Sequence, residues 1–527
     1  MKDRVSLTDF LMYHKETHPI SFHMPGHKGR STLYGIYGFG DFVKNVVGND
    51  ITEIPGADAL QQPRERIKDI MEGYAGLYGA KHTELLVNGS SAGLMASILS
   101  SVPRGGKLLM GRNSHKSVYG ALRLGGIDPV YIMPEIDGET GLQLGLDPDK
   151  IEAALIEDPG IKAVLVTSPN YYGVLSDIER IASIVHLHGR ILIVDQAHGA
   201  HLKFFDYLRS EDGLPHRAAE NCGADIVVDS THKTLLSFTG SAILNICTER
   251  PDVSRISELL RMLQTTSPSY LLMGSLDINQ QILRMDGYNL IKNWDADIKY
   301  FYEEAAQIAG LGLIDRIDLD ETKVSITMSV LGLSGPELAE ELEKRNIWVE
   351  LTHGDYVMLM TGLGNERGDY EDVLSALRDL SAHHGVRIQG VEPESSASKT
   401  ESAAQDATHK QAKNEAQAAS KNASQPVDKN AELRTPSSDS ALIERLEQRK
   451  IPDTYEEIPL YSAEGRVLYE SIIPYPPGTP IACPGEVLSK SVILYVRDQL
   501  VAQHVVLGVD EEGRVKVESD CVLFKEI

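Results

Sequence analysis

The sequence predicts an α/β protein: a large domain on a mostly parallel sheet, then a smaller α+β unit, then a small C-terminal domain. Three observations carry this. Between about residues 80 and 247, short apolar runs alternate with helix-like stretches. From about 290 to 388 the pattern changes to mixed strands and helices. Residues 391–440 then lose nearly all apolar content.

The first region reads element by element. "TELLVN" (83–88) is a strand, followed by the helical "GSSAGLMASILSSV". "GKLLMG" (106–111) is a strand, followed by "SHKSVYGALRLGG". "IKAVLVTSP" (161–169) precedes the amphipathic "SDIERIASIVHLHG", and "RILIVDQ" (190–196), "ADIVVDS" and "GSAILNIC" (240–247) complete the series. Unbroken β-branched runs between helices mark strands buried on both faces, hence a mostly parallel sheet. In the second region "KVSITMSVLG" is a strand, and "SGPELAEELEKRN" is a helix opened by a Ser cap. "IWVELTHGDYVMLMTG" is a strand pair and "DYEDVLSALRDLSAHHG" a helix. In 391–440 only Val391, Val427 and Leu433 represent Val, Ile, Leu and Phe. Such a segment cannot offset its chain entropy by burial, so a disordered linker is expected. The resulting organisation is a lead-in (1–60), a large domain (61–288), a small domain (289–388), a linker (389–440) and a C-terminal domain (441–527).

The chain has 527 residues, too many for one core. Its formal charge of −25 argues against a nucleic-acid surface or an anionic membrane and is compatible with a cationic substrate. No apolar run reaches the roughly 18 residues of a membrane helix, and the charged N-terminal stretch has no signal-peptide core. Cys222, Cys247, Cys483 and Cys521 form no CxxC pair and no metal-ligand spacing. Free thiols in a reducing compartment, the cytoplasm, are the expectation, with no metal.

Four features fall at strand ends or helix starts, where parallel α/β sheets bind ligands. In "VNGSSAGLM" (87–95) a strand ends, glycines and Ser90–Ser91 follow, and a helix begins. Free N–H groups and the helix dipole make that turn a phosphate seat; alone, it also reads as a plain capped turn. His115 in "RNSHKSVYG" follows a strand and can stack on a flat ligand, or simply cap its helix. Asp195 ends the apolar run "ILIVD", where a carboxylate is costly unless paired; a protonated ring nitrogen would pair it, with His198 and His201 nearby. In "ADIVVDSTHKTLLSF" (224–238), Ser230, Thr231 and His232 can donate to phosphate. Lys233 between apolar flanks is either a lysine snorkelling to solvent or an amine with a lowered pKa, able to condense with an aldehyde. Together they make a phosphate seat, a stacking ring, an acid for a ring nitrogen and a Schiff-base lysine, the signature of pyridoxal phosphate.

These motifs and their order resemble the Orn/Lys/Arg decarboxylase family of fold-type-I pyridoxal-phosphate enzymes. "FHMPGHKG" (22–29), "NGSSAG", "RNSHKS", "VDQAHGAH", "DSTHKTL", "LQTTSPSYLLMGSLD" (263–277) and "IPYPPGTPIACPGE" (473–486) carry the likeness along most of the ordered chain. The resemblance implies an aspartate aminotransferase-like large domain and α-decarboxylation of arginine, lysine or ornithine. Lys233 would hold the cofactor as a Schiff base, Asp195 would keep its ring nitrogen protonated, and His115 would stack on the ring. Ser90, Ser91, Ser230 and His232 would bind phosphate, and His198 would lie beside the cofactor. Thr265 and Thr266 would sit near the phosphate of a neighbouring subunit's cofactor, because such active sites lie at a homodimer interface. Glu486 and "LTHGDY" (351–356), with Asp355, are candidate substrate-side elements.

Two departures stand out. Gln196 occupies a position where many relatives carry Glu. The chain also starts at the cofactor-domain lead-in, without the receiver-like domain of the large acid-stress enzymes, so their decameric assembly is not carried over. This points to the shorter form linked to polyamine synthesis. Another fold-type-I activity (aminotransferase or lyase) is the alternative, and a silent cofactor-binding protein is a further one; fold and cofactor residues alone do not separate them.

Overall fold

The computed structural model describes residues 6–388, 446–475, 478–501 and 504–519. The expected linker, 389–440, and Cys521 lie outside the described residues.

Strand β1 (Ile20–Phe22) opens the chain's β structure. Seven strands follow: β2 (His82–Leu86), β3 (Lys107–Gly111), β4 (Asp128–Ile132), β5 (Ile161–Thr167), β6 (Ile191–Asp195), β7 (Ile226–Asp229) and β8 (Ala242–Ile246). They form one sheet in the order β2-β8-β7-β6-β5-β3-β4. The pairs from β4 through β7 are parallel, and β8 runs antiparallel between β7 and β2. The exception has a local cause. Twelve residues separate β7 from β8, the bare minimum for a parallel crossover, and they hold one four-residue helical turn instead of a crossover helix. Those residues hold Lys233, so the lysine sits on the tight return between two strands. The β4 segment, "DPVYI", escapes a sequence reading because its Asp and Pro are poor strand formers; Pro129 is tolerated because β4 is the edge strand.

Both faces of the sheet are covered, as continuous apolar runs require. In β7, Ile226 and Val228 enter one core and Val227 the opposite one. Helices Gly89–Ser101, Lys116–Gly125 and Val253–Leu263 contribute to the first core, and Pro148–Glu157 and Ile178–Leu187 to the second. A third, larger core joins the lead-in to the small unit around the 36-residue helix Tyr270–Ala305. That helix passes through residue 288, with Asp286 non-helical inside it.

The small unit holds β9 (Gly312–Leu313), β10 (Lys323–Thr327), β11 (Ile347–Val349), β12 (Leu351–His353) and β13 (Tyr356–Met360). The expected strand pair over 347–362 is thus three strands. β12 and β13 form an antiparallel hairpin, while β11 pairs in parallel with β1. Glu350 falls at the break between β11 and β12. The Ser334 cap of helix Gly335–Glu343 is present as a full capping box with Glu337. The C-terminal domain, with β14 (Tyr455–Pro459), β15 (Ile473–Tyr475), β16 (Val505–Leu507), β17 (Arg514–Glu518) and helix Lys490–Val501, has its own core. Among the described residues, no helix is long and apolar enough to cross a membrane.

Candidate active site

The ends of β2, β5, β6 and β7 open onto one cavity of about 590 Å³. Its lining includes Ser90, Ser91, His115, Asp195, His198, Ser230, His232 and Lys233. Eight of the eleven residues expected to serve the cofactor therefore meet. Thr265 and Thr266 are exposed and do not line it.

Lys233 lies on the helical turn Thr231–Thr234 that follows β7. Its Nζ stands 2.8 Å from His198 Nε2. Burial pushes the Lys233 ammonium down to about 8, against the opposing fields of Asp195 and Glu350. Burial also drives the His198 ring well below its ordinary value, so it is neutral and Nε2 can take the amine's hydrogen bond. Asp195 is buried at the end of β6, and burial raises its pKa while Lys233 opposes the rise. One oxygen accepts the Ala197 N–H at 3.2 Å.

His115 caps helix Lys116–Gly125: its Nδ1 accepts the Ser117 N–H at 3.2 Å. Burial lowers its pKa to about 3, so it is a neutral, flat ring at the cavity wall. The helix Gly89–Ser101 starts without a side-chain cap, and the Ser230 hydroxyl donates to Ser90 Oγ at 2.9 Å. Two expected phosphate donors need correction. Thr231 is fully buried, pairs with Ser237 at 2.6 Å, and stays out of the cavity. His232 Nδ1 lies 2.6 Å from the Ser241 carbonyl and so carries the ring proton. Its Nε2 then donates only if the ring is protonated, and burial holds the ring pKa down to about 4.

The arrangement fits pyridoxal phosphate on features of its own. Thr167 Oγ1 and His198 Nδ1 are buried with no hydrogen-bond partner, and both residues line the cavity. Unsatisfied polar atoms at such a place mark a site that a ligand completes. Asp195 would supply the anion for a ring nitrogen, and the uncapped helix start with Ser90, Ser91 and Ser230 would supply phosphate donors.

The lead-in braces this site. A Cβ on Gly26 would lie 2.3 Å from the Leu235 carbonyl oxygen, so only glycine allows the "MPGHKG" loop against the lysine turn. Gly26 N–H donates to the His232 carbonyl at 2.8 Å. Buried Lys28 donates to the His23 and Met360 carbonyls at 2.7 and 2.9 Å, tying the loop to the small unit.

Other residues escaped the sequence reading or were misplaced by it. Glu350 lines the cavity, accepting Met24 N–H at 2.9 Å and Tyr171 O–H at 3.1 Å. Its sequence signal, an acid at the end of the apolar run Ile347–Val349, is the kind that marked Asp195. Neither Asp355 nor Glu486 lines the cavity. Glu486 instead pairs with buried Arg112 at 2.9 Å and accepts the Cys483 N–H at 2.8 Å, joining the C-terminal domain to the large domain. Gln196 donates to Glu220 and Asp229, each at 3.0 Å. Its amide thus links two acids, where a Glu would add a third.

Comparison with known proteins agrees with this architecture. Residues 5–308 match the Orn/Lys/Arg decarboxylase major domain, and residues 436–508 match the C-terminal domain of the same enzymes. The arginine decarboxylase of Bacillus anthracis is 30% identical, over 95% of this chain and 94% of that protein. The arginine decarboxylase of Bacillus subtilis is 30% identical over the same shares. The structure of the Escherichia coli constitutive lysine decarboxylase superposes with a TM-score of 0.66 at 18% identity, covering 97% of this chain and 81% of that one. The fold is therefore that of fold-type-I enzymes. With the major domain matched over more than half its length and the closing domain behind it, the chain belongs to the Orn/Lys/Arg decarboxylase family and is a decarboxylase.

Proposed function

We propose that this protein is a pyridoxal-phosphate-dependent decarboxylase of a basic amino acid, arginine first, releasing the amine and CO2 for polyamine formation. The observation that carries the cofactor reading is the Lys233 amine held against neutral His198 in a cavity that also presents Asp195. The relatives named arginine decarboxylase, at 30% identity, favour arginine over lysine, for which the named relatives fall to 23%.

Pyridoxal phosphate, when bound, supplies an electron sink for the bond to the departing carboxylate. The chain does the rest. Ser90, Ser91, Ser230 and the helix start would hold the phosphate, and the flat His115 ring would pack against the cofactor ring. Asp195 would keep a proton on the ring nitrogen. Lys233 Nζ would carry the covalent link, with His198 Nε2 placed to take its proton. The free Lys233 amine would be the group placed to hand a proton to the substrate Cα. Asp195 and Glu350 are the carboxylates in the described lining. With Asp195 set to the ring nitrogen, Glu350 is left to meet the distal cation of the substrate.

A second copy of the chain completes this reading. Helix Leu7–Glu16 buries none of its residues, and Leu7, Phe10, Leu11, Met12 and Tyr13 are all exposed. An apolar face of this kind suits a homodimer, and exposed Thr265 and Thr266 are then free to serve the partner's site. A cytoplasmic location accompanies the proposal.

The test is release of CO2 from arginine, lysine and ornithine, with the product amines identified. Amine and CO2 in equal amounts support the reading. A keto acid product instead of CO2 would make the enzyme an aminotransferase.

A further inference from the structure

Behind the cavity, six residues close a ring of contacts. Lys233 Nζ meets His198 Nε2 at 2.8 Å. The His198 carbonyl accepts from Lys323 Nζ at 3.0 Å. Lys323 Nζ donates to Asp320 Oδ2 at 2.9 Å. Asp320 Oδ1 lies 3.1 Å from His201 Nε2, and His201 Nδ1 lies 3.1 Å from Thr234 Oγ1. Thr234 is the residue after Lys233, and the ring closes. Lys323, Asp320 and His201 are fully buried.

Lys323 and Asp320 come from the start of the small unit, and the other four residues from the large domain. Gly173 crosses the Lys323 stem so closely that a Cβ there would lie 2.8 Å from Lys323 Cβ. The Asp320 N–H donates to the Gly173 carbonyl at 2.8 Å. The backbone at Gly173 thus touches both members of the ion pair.

A buried ion pair is a poor way to gain stability, because desolvation consumes most of the attraction. Apolar residues would serve a purely structural core here at least as well. This pair is distinguished by what it touches. One end holds the backbone of His198, and the other, through His201, holds the side chain of Thr234. His198 is the partner of the Lys233 amine, and Thr234 is the next residue after Lys233 on the same turn.

We propose that Lys323, Asp320 and His201 are positioning residues that hold the Lys233 amine against His198 from both flanks. The proposal rests on the reading of Lys233 as the cofactor lysine. Placement to a fraction of an ångström governs rates of this kind of attack. The ring also brings charge: Lys323 disfavours the Lys233 ammonium, while Asp195 and Glu350, outside the ring, favour it. His115 and His198 face it as neutral rings, as does His232.

The test uses full-length apoprotein and holoenzyme. Uptake of pyridoxal phosphate by the apoprotein is followed against pH, with the link reduced by borohydride and the labelled peptide mapped. Lys323→Met removes a cation facing Lys233 and leaves Asp320, so the midpoint of uptake should rise by about one pH unit. Asp320→Asn leaves the cation uncompensated, so its midpoint should fall. In the holoenzymes kcat should drop about tenfold or more, with KM within about threefold. Shifts in the same direction, no shift, or equal losses in kcat and 1/KM would overturn the proposal. Thr234→Val cuts the ring at an uncharged contact and tolerates a failure of the other variants to fold. It should lower kcat about threefold or more with the midpoint unmoved, and an unchanged kcat would also overturn the proposal. Wild-type label on a residue other than Lys233 would instead sink the cofactor-lysine reading.

Discussion

Two buried ion pairs in this protein make opposite uses of the same chemistry. Lys323–Asp320 has no exposed surface on either side chain, and Arg112–Glu486 has 4% and 3%. Arg112 also donates to the Pro480 carbonyl at 2.7 Å and the Ile481 carbonyl at 3.3 Å. Apart from Tyr119 at 3.0 Å, its side-chain hydrogen-bond partners belong to the C-terminal domain, and the pair is a joint. Lys323–Asp320 reaches instead to the two neighbours of Lys233. Burial and distance do not separate these cases. The groups at the far end of each network do.

Substitutions sharpen that contrast, and the largest effect belongs at the cavity. Lys233→Ala is expected to abolish both turnover and the covalent cofactor link, measured by CO2 release and by absorbance of the reduced protein. Wild-type turnover in that variant would end the assignment. Asp195→Ala should keep the link and lose turnover by about 10²- to 10³-fold, the usual scale for one preorganised electrostatic group. Glu350→Gln should raise KM for arginine by about tenfold or more, since it weakens a charge-assisted contact. Steady-state kinetics with arginine and its neutral analogue citrulline check this; an equal change for both would assign Glu350 to bracing Met24 and Tyr171 only.

The joint should behave differently. Glu486→Gln leaves the Arg112 charge buried and weakly paired, a loss of about 3–5 kcal/mol by analogy with broken buried pairs. Thermal unfolding should report that loss, while kcat of the folded fraction stays within about twofold. A large fall in kcat at full stability would return Glu486 to the substrate side.

The pH dependence follows from Lys233. Its ammonium, at 10.5 in the open and about 8 in the cavity, loses its proton early as pH rises. The neutral amine is the nucleophile, so uptake of pyridoxal phosphate by the apoprotein should climb with pH and level off above about 8. A plateau reached only near 10.5 would mean that the apolar wall does not act on the amine.

What was legible in the chain was legible for local reasons. The strands of the large sheet announce themselves because burial on both faces demands unbroken apolar runs, as in Ile226–Val228. Asp195 and Lys233 stand out because a charge at the edge of such a run needs a partner. Edge strand β4 escaped because an edge tolerates Asp and Pro. The helix Tyr270–Ala305 escaped because its start lies inside a stretch read only as a motif.

By itself, then, the sequence determined the α/β alternation, the family, and eight residues that the fold brings to one cavity, since each of these is written in neighbouring positions along a strand or turn. Only the tertiary structure decided which acid faces the cavity. Glu350 enters it because the strand breaks between β11 and β12, while Glu486 is drawn off by Arg112, 374 positions away along the chain. It also decided that Lys323, read as the start of a strand, reaches the back of Lys233. These pairings depend on contacts between residues far apart in the chain, and no local pattern of polarity encodes such a distance.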